Sequence, residues 1–360
     1  MKFLACLLFS LLLFTCSGQS YWTPGVTYYH GAMFKYLKSQ PWLDFTGLNG
    51  FELKATRHTR GNKAWEAYHN YPKLKVGISY FDYGLPENFG QFITGVVGLN
   101  YSLFGSENFR WAPGFGLGYS SKYYTKENSI NKAVSTKISF TAELDFIYQW
   151  QIGDKIQNEF SVAFRHASNG NIKKPNYGMN FVVAGLSINF DPKKRKNEYT
   201  SYEDHEELKT FKYYVIYTTG WKDPQFQQGN SLYQVQSLSV YAAYRFSNIN
   251  SFLVGLDGFI DTSQYQEYIN QTKDDSPPFD ENNFDPKQLA FTIGNTFHFN
   301  KLGIIAQGGL FLYRPYRFMK FSYQRYGFQY TIGKHFVLHS ALKAYFGSAD
   351  VVEFGGGFTF

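Results

Sequence analysis

Apolar and polar positions alternate along most of this chain, with a period of two residues. In Gln91 to Phe104, Ile93, Gly95, Val97, Leu99, Tyr101 and Leu103 share one parity, against Thr94, Val96, Gly98, Asn100 and Ser102 on the other. Alternate side chains of a β-strand point to opposite faces, so each such run predicts a strand with one apolar face and one more polar face. Bounded by turn residues, these runs fall near 26–36, 51–57, 74–82, 91–104, 109–121, 136–151, 156–168 and 180–190, which is eight. A second eight fall near 213–220, 233–246, 252–261, 288–299, 302–313, 321–333, 336–346 and 351–360, for an even total of sixteen. Between the sets, Asp191 to Thr210 carries charge of both signs and no periodicity, and it is the one internal boundary the pattern offers. Long connections such as Thr262 to Lys287 alternate with tight ones such as Asn300-Lys301. Such alternation is expected when the two ends of a barrel face different media.

Composition turns this pattern into a membrane-barrel expectation. Aromatic residues make up 20% of the chain, with 37 Phe, 30 Tyr and 6 Trp beside 33 Gly, yet the mean hydropathy is −0.35. Beyond the N-terminus no stretch approaches the roughly 18 consecutive apolar residues of a membrane helix. Alternating segments of about ten residues rich in Tyr, Phe and Gly are the mark of a transmembrane antiparallel β-barrel; a secreted β-sandwich is the competing all-β reading. Sixteen strands in one wall would enclose water, as in porins, whereas two eight-stranded units would each be filled by side chains. The pattern leaves both open.

The N-terminus narrows the setting. Lys2, the apolar core from Phe3 to Phe14 and the small and polar residues up to Gly18 read as a signal peptide, residues 1–18, too short to span a bilayer as a helix. Both cysteines, Cys6 and Cys16, lie inside it, so the mature chain is expected to have neither disulfides nor thiolate metal sites. The net charge of +7 is scattered apart from Lys193-Lys194-Arg195-Lys196, which makes no nucleic-acid face. No phosphate-binding Gly loop or nucleotide fingerprint appears, so no cofactor is expected. The acidic residues Asp274, Asp275, Asp280, Glu281 and Asp285 are of the type that holds hard cations but read better as a solvated loop, and no metal site is expected. The chain ends on Phe354-Gly355-Gly356-Gly357-Phe358-Thr359-Phe360, and this final strand with its terminal Phe resembles the signal recognised by the outer-membrane barrel-assembly machinery.

Candidate chemistry gathers at one strand pair. Phe160, Val162, Phe164, His166 and Ser168 share a face, with Glu159, Ser161, Ala163, Arg165 and Ala167 opposite. Beyond a loop, Asn180, Val182, Ala184, Leu186, Ile188 and Phe190 share a face in turn. His166, Ser168 and Asn180 are therefore expected together at one end of an apolar surface, an odd place for a base, a nucleophile and an amide unless the surface faces lipid and the substrate is a lipid. Counted back from a periplasmic C-terminus, the strand carrying His166 runs outward, toward the outer leaflet.

The segments His166-Ala167-Ser168-Asn169-Gly170 and Lys174-Pro175-Asn176-Tyr177-Gly178-Met179-Asn180, with Tyr71 to Tyr80 and Gly114 to Tyr119, resemble the PagL-type lipid A 3-O-deacylases and their acyloxyacyl-hydrolase-like relatives of Bacteroidetes. The resemblance covers about residues 21–190. It implies an eight-stranded outer-membrane barrel at 19–190; the charged linker or turn at 191–210 and the further barrel strands at 211–360 are read from the alternation pattern, and the resemblance does not reach them. It also implies a serine esterase that removes an ester-linked acyl chain from lipid A of the lipopolysaccharide leaflet, with Ser168 as nucleophile, His166 as base, and Asn169 with the backbone near Gly170 as oxyanion donors. The family's better-known branch carries Glu where this chain has Asn180. The alternative is a non-catalytic or porin-like barrel that retains the hairpin.

Overall fold

A computed structural model of the chain describes residues 21–34, 47–191, 199–201, 209–224, 232–272, 283–316 and 320–360. The segment expected to be a signal peptide, the basic cluster 193–196 and the acidic residues 274, 275, 280 and 281 lie outside the described residues. Sixteen antiparallel strands close into two eight-stranded barrels, which decides between the two closures left open by the pattern. The first contains β1 (Tyr21–Met33), β2 (Leu48–His58), β3 (Lys73–Asp82), β4 (Gln91–Leu103), β5 (Ser106–Ser120), β6 (Ile138–Ile152), β7 (Ile156–Ser168) and β8 (Met179–Phe190). It closes where β1 pairs with β8, from Gly25 opposite Asn189 to Met33 opposite Phe181. The strand β1 begins five residues before the expected Val26. Pro24 is tolerated there because it pairs only with Ala55 of β2, the β8 ladder starting at Gly25, so its missing N–H interrupts no bond on the closing side.

The second barrel contains β9 (Thr210–Lys222), β10 (Tyr233–Arg245), β11 (Asn250–Asp261), β12 (Lys287–Phe299), β13 (Leu302–Tyr313), β14 (Ser322–Ile332), β15 (Phe336–Tyr345) and β16 (Ser348–Thr359). It closes between β16 and β9, from Phe354 opposite Thr219 to Thr359 opposite Tyr214. Among the described residues two helices, α1 (Ala64–Tyr68) and α2 (Gln264–Thr272), lie in connections between strands, α2 within the long connection Thr262 to Lys287. Grouped by internal contacts, the chain forms two compact units, and the second holds, besides β9 to β16, the segments Lys122–Phe140 and Ala167–Met179.

Each barrel is polar inside and apolar outside. On β3, Val76, Ile78 and Tyr80 are exposed while Lys75 and Ser79 are buried; on β7, Phe160, Val162 and Phe164 are exposed while Ser161, Ala163 and Arg165 are buried. An outward apolar set of this kind suits a hydrocarbon surround, and polar groups facing inward need partners among themselves. In the first barrel Lys75 Nζ lies 3.0 Å from Glu52, 2.9 Å from Glu143 and 3.1 Å from Asp145, and Arg165 pairs with both Glu143 and Asp145. In the second, Arg325 pairs with Asp257 at 2.6 Å and with Glu353 at 2.8 Å, packed against Tyr323 and Phe259.

Candidate active site

Strand β7 stops at Ser168 because the chain turns through two left-handed residues, Gly170 (φ 68°) and Asn171 (φ 73°). Glycine adopts that conformation freely, and Asn more readily than most side chains. The chain returns as β8 at Met179. The period-two alternation puts His166 on the outward face beyond Phe164 and Asn180 on the outward face of β8. The His166 Nδ1 and Asn180 Oδ1 lie 2.5 Å apart. An amide oxygen only accepts, so Nδ1 carries the proton and Nε2 presents its lone pair, the tautomer a general base needs. On the opposite face, Arg165 points inward into the ion-pair network, which anchors the backbone that carries His166.

Ser168 is held by the loop that follows it. Its Oγ accepts from Asn176 Nδ2 at 2.8 Å and from the Gly170 N–H at 3.2 Å. A serine hydroxyl has one proton and two acceptor lone pairs. With both lone pairs occupied, the proton is left to be given away, and both donors would stabilise the oxygen once it carries negative charge. Asn176 also accepts from the Asn169 N–H through Oδ1, at 3.1 Å, so one side chain braces both ends of the turn. Strand alternation could not single out Asn176, because it lies outside any strand; its one sequence signal is its place in the motif after Pro175.

The Asn169 side chain is buried and committed to the loop. Its Nδ2 donates to the Lys173 carbonyl at 2.7 Å and to Ser135 Oγ at 3.2 Å, and its Oδ1 accepts from the Asn171 N–H at 3.0 Å. Of the residues singled out from sequence, His166 and Asn180 are joined directly, Gly170 meets Ser168 through its amide, and Asn169 shapes the turn. Among the described residues no group of three or more His, Cys, Asp or Glu side chains is placed to hold a metal, and the Asp285 carboxylate accepts from the Tyr313 hydroxyl at 2.7 Å.

A family model described as lipid A 3-O-deacylase (PagL) matches residues 49–189, and one described as acyloxyacyl hydrolase, C-terminal domain, matches residues 211–360. No curated protein matches the chain. Among solved structures, a mutant porin of Rh. blastica aligns at 9% identity over 95% of this chain and 100% of its own, with a TM-score of 0.17. Salmonella typhi OmpF in complex with daunomycin aligns at 10% identity over 95% of this chain and 97% of its own, with a TM-score of 0.17. The TodX monoaromatic hydrocarbon channel aligns at 9% identity over 97% and 90%, with a TM-score of 0.16. Scores this low carry no argument about either fold or function.

Proposed function

Because residues 49–189 belong to the PagL family of lipid A 3-O-deacylases and residues 211–360 to the acyloxyacyl hydrolase C-terminal domain family, we propose that the chain is an outer-membrane serine esterase that removes an ester-linked acyl chain from lipid A. The observation that carries the reading is the pairing of His166 with Asn180 on the outward, apolar face of the wall, two residues along the strand from a Ser168 whose oxygen receives two N–H donors.

Ser168 Oγ attacks the ester carbonyl carbon while its proton passes to His166 Nε2. The carbonyl oxygen becomes an oxyanion, and the Gly170 N–H, which lies against the Ser168 oxygen, is a backbone donor that can turn to receive it. Collapse of the tetrahedral intermediate expels the alcohol oxygen of the ester, which takes the proton back from His166, and leaves Ser168 acylated. Water, deprotonated by His166, then attacks the acyl carbon and releases the fatty acid. Asn180 orients the ring throughout, but as a neutral amide it adds no charge stabilisation to the imidazolium.

The exposed side chains Phe160, Val162 and Phe164 form an apolar stripe below the site. An acyl chain lying along it stays at its own depth in the leaflet, so the substrate reaches Ser168 by sliding laterally and not by extraction. Mass spectrometry of lipid A from cells with and without the intact gene tests the reading. Loss of one ester-linked acyl chain only when the gene is intact supports it, and identical lipid A from both strains rejects it.

A further inference from the structure

The segment after Ser168 belongs to the same compact unit as β9 to β16, and the bonds inside that unit show what holds it. Asn171 is buried, with 8% of its surface exposed. Its Nδ2 donates to the Asp350 carbonyl on β16 at 2.9 Å, and its own carbonyl accepts from the Asp223 N–H, just past β9, at 3.1 Å. Asp223 Oδ2 in turn accepts from the Lys174 N–H at 3.4 Å. A Cβ added to Gly170 would lie 2.2 Å from Val352 Cγ2, so the turn is packed flush on β16 as well as bonded to it.

The strand end that grips Asn171 is itself immobilised. The Asp350 carboxylate takes Lys222 Nζ at 2.7 Å on one oxygen and Lys343 Nζ at 2.8 Å on the other, and Lys222 also reaches Asp261 at 2.9 Å and Glu267 of α2 at 3.0 Å. Asp350, Lys222, Lys343 and Asp261 are almost fully buried, and Glu267 is partly exposed. Asn171, a non-glycine residue held in the left-handed region, occupies a conformation that persists where the surroundings over-determine it, and these are such surroundings. The link to Ser168 is short: Asn171 fixes Gly170, whose N–H is bonded to the Ser168 oxygen.

We propose that Asn171 is a positioning residue for Ser168, and that the ends of β9 and β16 serve the reaction by clamping the turn that carries the nucleophile. This gives the C-terminal barrel a part in catalysis without placing any of its side chains on the substrate. Its kinetic consequence rests on the esterase reading, whereas the clamp itself does not.

Two substitutions isolate it. Asn171→Asp keeps the size and the tolerance for a left-handed backbone but cannot donate to the Asp350 carbonyl, and Asn171→Gly keeps the backbone freedom with no side chain at all. Full-length protein in detergent is compared by hydrogen exchange over residues 169–177 and by fatty-acid release from lipid A. The expected result is faster exchange in this segment, kcat lower by about 10- to 100-fold with KM little changed, and unaltered heat-modifiable migration of the folded barrel. Exchange as slow as in the parent in both variants overturns the clamp, and faster exchange with undiminished kcat overturns its catalytic role. Faster exchange in variants of a parent that releases no fatty acid upholds the clamp and rejects the esterase reading instead.

Discussion

At the scale of single residues, Asn180 decides, in the proposed reaction, how much His166 can do. Its oxygen sets the tautomer of the ring, which an amide does as well as a carboxylate, but the positive imidazolium formed during attack gains only a neutral partner. A hydrogen bond to a charged partner is worth roughly 1 kcal/mol more than a neutral one, about fivefold in rate if realised in the transition state. Asn180→Glu is therefore expected to raise kcat by about that factor while the barrel still folds, as read by initial rates of fatty-acid release. An inactive Glu variant of an active parent would assign Asn180 to direct contact with the substrate. Asn176 acts on the other side of the reaction. Asn176→Ala removes one of two donors to the Ser168 oxygen and should lower kcat by about 10²-fold, the scale of a lost oxyanion-type donor; a change of less than twofold would show that this bond stabilises the loop alone.

At the scale of elements, β7 joins two environments. One face carries His166 outward beside exposed apolar side chains, and the other sends Arg165, 5% exposed, against Glu143 and Asp145. Removing one partner from such a buried set leaves uncompensated charge, which costs about 3–5 kcal/mol. Arg165→Met should accordingly lower the unfolding midpoint in urea sharply, whereas Ser161→Ala on the same face should scarcely move it; equal midpoints for the Arg165→Met protein and the parent would mean the network is not what holds this wall. Strand alternation made β7 legible in the sequence to both of its ends, because its apolar and polar faces stay distinct until the turn. The helix α2 was not read from the sequence, since Gln264–Thr272 is short and mostly polar, with only Tyr265, Tyr268 and Ile269 at helical spacing. Closure into two barrels was equally hidden, because it depends on β1 meeting β8 from far along the chain. The placement of Asn176 and Asn171 rests on loop bonds that no periodicity encodes.

At the scale of the whole molecule, the strands divide into two walls of eight, and the interiors hold Lys75, Glu52, Arg165 and Asp145 in one and Arg325, Asp257, Glu353 and Lys343 in the other, all buried. Barrels of this size are filled by their side chains, so purified protein in planar bilayers is expected to pass no steady ion current; a sustained conductance would favour the channel alternative. On the proposed esterase reading, lipid is both the medium and the substrate, and the chemistry turns on the Ser168 hydroxyl. The most direct test is fatty-acid release from purified lipid A by the parent and by Ser168→Ala, both first shown to be folded by heat-modifiable migration. Loss of the nucleophile in a serine hydrolase can cost on the order of 10⁶ in rate, so the account predicts release by the parent and none detectable from Ser168→Ala. Equal release by the two proteins would contradict it.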